Sequence, residues 1–285
     1  MNYTKPILDI IQERTSSRTY SGQPLEGDLK EKLNKLLENH DYQSPFSKYA
    51  EKARFELVNV PEFNPNEKKK LGTYGLIKGA QNFIVGAVEK SKFDREHFGY
   101  LMETIILFAT DMGLGTCWLG GSFNKTLFAA KIKCSSNEIV PAITSIGYSI
   151  QRTVKEKIIR SFVKANKRFS WDRLFFKQEF NTPLFAEEVG DYAELLEMVR
   201  LGPSAGNKQP WRIIKDSNKN MFHFYTVKTD SVYGRFPPLD IGIAVCHFDL
   251  TAKELGIKGS WIFENPQILG AENLLYKITW NGDNK

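Results

Sequence analysis

The chain has 285 residues, 25% charged and 41% hydrophobic, and 39 Lys and Arg against 33 Asp and Glu give a net charge of +6. This globular composition excludes a disordered or collagen-like chain and leaves ample length for a buried core, in one large domain or two small ones. The widely spaced Cys117, Cys134 and Cys246 exclude a disulfide scaffold and a zinc ribbon, no apolar run reaches membrane-spanning length, and no basic run with interleaved aromatics marks a nucleic-acid surface.

The start, MNYTKPILDI, has no long apolar run or small-residue cleavage site, so a reducing cytoplasm is the expected compartment. Next stands ERTSSRTY, with Arg14 and Arg18 four apart and Ser16 midway. Planar, permanently charged donors at that spacing suit one phosphate, and basic residues at a helix end are the other reading. A short helix is expected over Asp28–Glu38 and strands over Phe55–Val60 and Phe83–Val88, with Lys68, Lys69 and Lys70 in a solvated loop. Phe98, Leu101, Met102, Ile105, Ala109 and Met112 then mark a long helix, apolar around most of its girth, which belongs inside a core. Gly113 reads as its left-handed stop, Trp118 sits on a short strand, and Ile139–Tyr148 reads as a longer one. Gln151–Arg173, rich in Lys and Arg, reads as a charged linker.

A helix over Tyr192–Leu201 leads into GPSAGNKQPW. Gly202 and Pro203 stop the helix, small residues permit close backbone approach to a flat ligand, and Asn207 and Gln209 offer donors and acceptors. An ordinary turn has the same residue types. Strands follow over Trp211–Lys215 and Met221–Val227, then Pro237-Pro238 ahead of a second long helix carrying Ile241, Ala244, Val245, Phe248, Ala252 and Leu255. Gly256, Trp261 and a strand over Leu274–Trp280 close the chain. Asp240 and Glu254 bracket this helix and are read as serving its ends; His247 reads as a satisfied core histidine and Cys117 as a packed, inert thiol. The histidines have no metal spacing.

At one constant offset Gly99 matches Gly242, Ala109 matches Ala252, Gly113 matches Gly256 and Trp118 matches Trp261. Each half reads helix, strand, strand, long helix, short strand, strand. The expected fold is therefore α+β: two degenerate repeats, residues 1–178 with the basic crossover and 179–285, packed around the two long helices as one unit.

PSAGNKQPW resembles the flavin-contacting signature of the nitroreductase family of FMN-dependent oxidoreductases. ERTSSRTY resembles that family's Arg-x-Ser-x-Arg phosphate motif, and GLGTCWLGGSF its segment beside the flavin ring. Ordinary members carry the PSAxNxQPW string soon after the first motif; here ENHDYQSPFSKYAEKARFELV stands in that place and the string is displaced into the second half. The resemblance implies an intrachain pseudo-dimer of the single-chain subgroup, in which each half keeps its own contribution to one flavin site. It implies that Arg14, Ser16 and Arg18, completed by Lys167 and Arg168, hold the FMN phosphate. Pro203, Ser204, Ala205 and Asn207 then meet the ring, and Gly120 and Gly121 present backbone near its hydride-accepting nitrogen. Gly120 replaces the Glu of many members.

The implied activity is reduction of FMN by NADH or NADPH and then of a small acceptor such as a nitroaromatic or quinone. The flavin does the bond chemistry, so no protein acid, base or nucleophile and no metal is expected. A flavin-binding sensor or carrier without turnover is the alternative. The expected protein is a monomer with a small-molecule acceptor and no nucleic-acid or membrane partner.

Overall fold

The computed structural model describes residues 3–283 except 39–42, 63, 65, 68–69, 74, 152, 163, 166, 218 and 230–231. Lys68 and Lys69 of the expected solvated run lie outside the described residues. The chain forms two compact units, Met1–Lys5 with Glu13–Val163, and Pro6–Gln12 with Lys164–Lys285. The first helix, α1 (Ile7–Glu13), thus belongs almost wholly to the second unit.

The first unit holds α2 (Gly27–Leu37), β1 (Ala53–Asn59), β2 (Asn82–Glu89), α3 (Asp94–Asp111), β3 (Gly115–Leu119), α4 (Lys125–Lys131), β4 (Glu138–Ile139), β5 (Ile143–Gly147) and α5 (Val154–Phe162). Its sheet runs β1-β2-β5-β3, antiparallel throughout, with the short β4 beside the end of β2. The single strand expected over Ile139–Tyr148 is divided because Pro141, lacking an N–H, falls between β4 and β5.

The apolar period placed α3 correctly. Asp94 and Glu96 in its first turn suit the positive helix end. Phe98, Met102, Ile106 and Leu107 point around its girth and are all buried. Gly86 of β2 lets the helix close on the sheet: a Cβ there falls 2.5 Å from the Phe55 ring and 2.6 Å from Phe98. On the other side, Phe128 of α4 packs with Phe83, Val85, Leu119 and Ile143. Asn124 starts α4 by accepting the Leu127 N–H at 3.1 Å.

The second unit holds β6 (Phe175–Lys177), β7 (Glu179–Pro183), α6 (Tyr192–Leu201), β8 (Trp211–Lys215), β9 (Met221–Val227), α7 (Pro237–Glu254), β10 (Gly259–Ile262) and β11 (Leu274–Gly282). Its sheet runs β10-β11-β9-β8-β6-β7. Only the β6–β8 pairing is parallel among these. Prolines 237 and 238 are the first residues of α7 itself, where an absent N–H costs no helical bond. Phe248 of α7 meets Phe222, Phe224, Trp261 and Trp280 with ring centroids 5.5–5.7 Å apart, mostly edge-on.

The two four-strand cores, β1-β2-β5-β3 and β8-β9-β11-β10, have the same order. Both long helices end the same way. Gly113 and Gly256 take φ of 77° and 66°, and the next residue's N–H returns to Ala109 and Ala252 at 2.9 Å each.

The second compact unit takes in β6, which hydrogen-bonds alongside β8 in the second sheet. The basic segment Gln151–Arg173 is not a plain linker, since it forms α5. Its Glu156 is buried and accepts the Thr19 hydroxyl at 2.7 Å and the Arg18 N–H at 3.3 Å. Among the described residues no helix is long and apolar enough to cross a membrane.

Candidate functional site

In the first unit, α1 ends at Glu13 and the chain continues extended. Ser17 N–H donates to Thr116 O at 2.8 Å beside β3, and Tyr20 N–H to Lys78 O at 2.9 Å. The motif is thereby threaded between β3 and the segment leading into β2. Extended chain sends alternate side chains to opposite sides. Thr15, Ser17 and Thr19 line a cavity of about 440 Å³ with Ser149, Glu156 and Lys157.

Arg14, Ser16 and Arg18 gather instead around Cys117. Burial pushes the Cys117 thiol up, and the charges of Arg18 and Arg14 and a Ser16 hydrogen bond pull against it. The structure thus brings the three expected phosphate residues together. It also shows an unmet need. Arg14 Nε and Arg18 Nη1 are buried and have no hydrogen-bond partner. Burial lowers the Arg14 pKa, with Glu103 opposing. Glu103 lies 3.8 Å from Arg14 Nε and accepts the Trp118 indole N–H at 2.7 Å. Gly120 and Gly121 form the bend directly after β3.

In the second unit, the loop between α6 and β8 carries the other motif. Pro203, Ser204 and Ala205 are half-buried. A single 3₁₀ turn spans Ala205–Asn207, and Gly206, Asn207 and Gln209 take φ of 57°, 56° and 46°. Left-handed Asn and Gln conformations are costly unless their surroundings hold them. Here several hydrogen bonds do so. Gln209 N–H donates to Ser204 Oγ at 2.8 Å, and Gln209 Oε1 accepts the Phe169 N–H at 2.8 Å. Asn207 Nδ2 donates to Lys164 O and Lys167 O, both at 2.8 Å. Ala205 N–H donates to Asp240 Oδ1 at 3.0 Å.

This wiring alters two expectations. Asn207's amide hydrogens are taken up by the carbonyls of Lys164 and Lys167 rather than left for a ring. Arg168 is engaged too: its Nη2 donates to Leu201 O at 2.9 Å and its Nη1 to Ala165 O at 2.9 Å and Asn207 Oδ1 at 3.2 Å. The guanidinium therefore closes the C-terminal end of α6 and clamps the loop, where the sequence suggested a phosphate contact. Lys167 is exposed on the same segment.

Asp240 and Glu254 stand at the two ends of α7 and also bond beyond it. Asp240 reaches the loop, and Glu254 accepts the Ile7 N–H at 2.7 Å, at the start of α1. Asp111, which the constant offset pairs with Glu254, accepts the Thr4 and Lys5 N–H at 2.7 and 3.1 Å. His247 is a satisfied core histidine, its Nδ1 2.8 Å from Met198 O. Sequence reasoning missed Glu103, and Asp240 as a loop anchor. The available signal was a carboxylate on a helix otherwise apolar around its girth.

The fold is that of an α+β protein with two antiparallel-rich sheets. Residues 6–252 match the family model described as "Putative TM nitroreductase". The chain therefore belongs to this nitroreductase family. A solved structure from Thermotoga maritima MSB8, described as a putative nitroreductase, is 20% identical with a TM-score of 0.59, over 99% of this chain and 95% of that one. A nitroreductase with bound FMN from Bacteroides fragilis is 16% identical, with a TM-score of 0.39 over 53% of this chain and 95% of that one. No curated protein matches.

Proposed function

We propose that the chain is an FMN-dependent oxidoreductase that takes electrons from NADH or NADPH and passes them to a small acceptor such as a nitroaromatic or quinone. The observation that carries this reading is the pair of buried N–H groups on Arg14 and Arg18 that have no hydrogen-bond acceptor, gathered with Ser16 in a member of the nitroreductase family. Buried donors without acceptors are costly, and a phosphate, with charge of roughly −1.5 to −2, supplies the missing acceptors.

In this reading Arg14, Ser16, Arg18 and Lys167 hold the FMN phosphate. Gly120 and Gly121 present backbone to the ring, and Pro203, Ser204, Ala205 and Asn207 form the surface it rests on. Arg168 shapes that surface. Bound FMN supplies the hydride and electron chemistry; the protein binds and orients it.

We propose further that the two units are degenerate copies of one α+β unit, an intrachain pseudo-dimer active as a monomer. Support comes from the shared strand order and the matching glycine stops. It comes also from Trp118 and Trp261, each donating to a carboxylate of the preceding long helix, Glu103 at 2.7 Å and Asp249 at 2.8 Å. One copy keeps the phosphate motif and the other keeps the ring motif.

Reconstituted protein is expected to be yellow and to bleach anaerobically with NADH or NADPH. Arg14→Ala and Asn207→Ala are each expected to weaken FMN binding at least tenfold in a fluorescence titration, the second by loosening the loop. Flavin that binds but is bleached by neither nicotinamide makes the protein a flavin carrier or sensor.

A further inference from the structure

Asp240 lies in the first turn of α7 and is only 4% exposed, among the buried Leu239, Ile241 and Ile243. Its Oδ1 accepts the Ala205 N–H at 3.0 Å. That N–H opens the turn whose next residues, Gly206 and Asn207, are left-handed. The remaining described hydrogen bonds of the turn come from its own residues, from segment 164–169 and, at Gln209 O, from Arg212 of β8, so Asp240 is its tie to the long helix.

The elements packed against α7 carry Tyr192, Glu194, Glu197 and Arg200 on α6, Arg212 and Lys215 on β8, His223 and Tyr225 on β9, Tyr276 and Lys277 on β11, and Arg235 in the turn before α7. None of them forms an ion pair with Asp240, whose burial is opposed only by the Ala205 N–H. A buried carboxyl in such a place favours its neutral form.

We propose that Asp240 is a positioning residue for the 203–209 loop: its hydrogen bond to Ala205 N–H sets the loop in the conformation that receives FMN. The proposal rests on the FMN reading given above. A neutral carboxyl and an amide have nearly the same shape and share the accepting oxygen, so Asp240→Asn keeps the tie. Asp240→Ala removes it.

Two measurements on the full chain test this. The first is amide hydrogen exchange of segment 202–210 without flavin, with variants compared at equal pH. Asp240→Ala is expected to exchange at least tenfold faster than wild type and Asp240→Asn to match wild type. The second is FMN titration at pH 7. Asp240→Ala is expected to bind FMN at least tenfold more weakly than wild type and Asp240→Asn to match it. Unchanged exchange or unchanged FMN affinity in Asp240→Ala overturns the proposal. Absence of FMN binding to wild type overturns the flavin reading instead, and the exchange arm still judges the tie. Should Asp240→Ala not fold, Asp240→Leu, which fills the apolar site but offers no acceptor, takes its place in both arms.

Discussion

Replacing Glu103 with alanine is expected to lower stability by about 3–5 kcal/mol, the usual cost of removing one partner from a buried ion pair. The Glu103 side chain has no exposed surface and that of Arg14 only 6%. The substitution leaves the Arg14 guanidinium buried without its counter-charge and the Trp118 indole N–H without its acceptor. Glu103→Gln restores an acceptor for Trp118 but not the charge, so it falls between. The double variant Arg14→Met with Glu103→Leu is expected to be more stable than Glu103→Ala, because no uncompensated charge remains. Urea unfolding measures all three. A loss under about 1 kcal/mol for Glu103→Ala means that Arg14 is not held by this carboxylate.

Stability is expected to peak between about pH 6 and 7 and to fall on both sides. On the acid side, His97 meets Ser44 Oγ at 2.7 Å and His223 meets Thr279 Oγ1 at 2.8 Å. Burial lowers both imidazoles to about 4. The unfolded chain therefore binds these protons first as pH falls below 6.5, and the gap is worth about 3 kcal/mol for each histidine. That stability is intact above 6.5 and is lost progressively down to about 4.

Asp240 acts with the opposite sign. Burial raises its carboxyl to about 8, so the folded state holds a proton that the unfolded state releases above about 4. Its contribution is lost as pH rises toward 8. Below pH 6 the two histidines outweigh the one carboxyl, and above 6.5 the carboxyl acts alone. Unfolding free energies from pH 4.5 to 9 measure both limbs. His97→Gln and His223→Gln should each flatten the acid limb, and Asp240→Asn the alkaline one. A wild-type stability that rises steadily to pH 9 contradicts the assignment of Asp240.

Most of the fold was legible because long elements carry strong periods. The expected bounds of α6, β8 and β9 match the structure residue for residue, and both long helices and their glycine stops stand where the pattern put them. α5 was hidden because its charged residues resemble a solvated linker, while one buried carboxylate, Glu156, ties it down. β6 was hidden because three residues are too short to show a period, and β7 because Asn181, Thr182 and Pro183 are turn-favouring residue types. At the site, residue types named the clusters but not their wiring. Arg14, Ser16 and Arg18 meet because extended chain alternates, which spacing predicts. That Arg168 clamps Asn207, or that Asp240 reaches Ala205, depends on tertiary hydrogen bonds that no local pattern encodes.

The most direct test of the account is the flavin content of the pure chain after reconstitution with excess FMN and removal of unbound flavin. One phosphate motif and one ring motif per chain predict one FMN per chain, released on denaturation. Two per chain contradict the division of the motifs between the units, and none contradicts the assignment of Arg14 and Arg18 to a flavin phosphate.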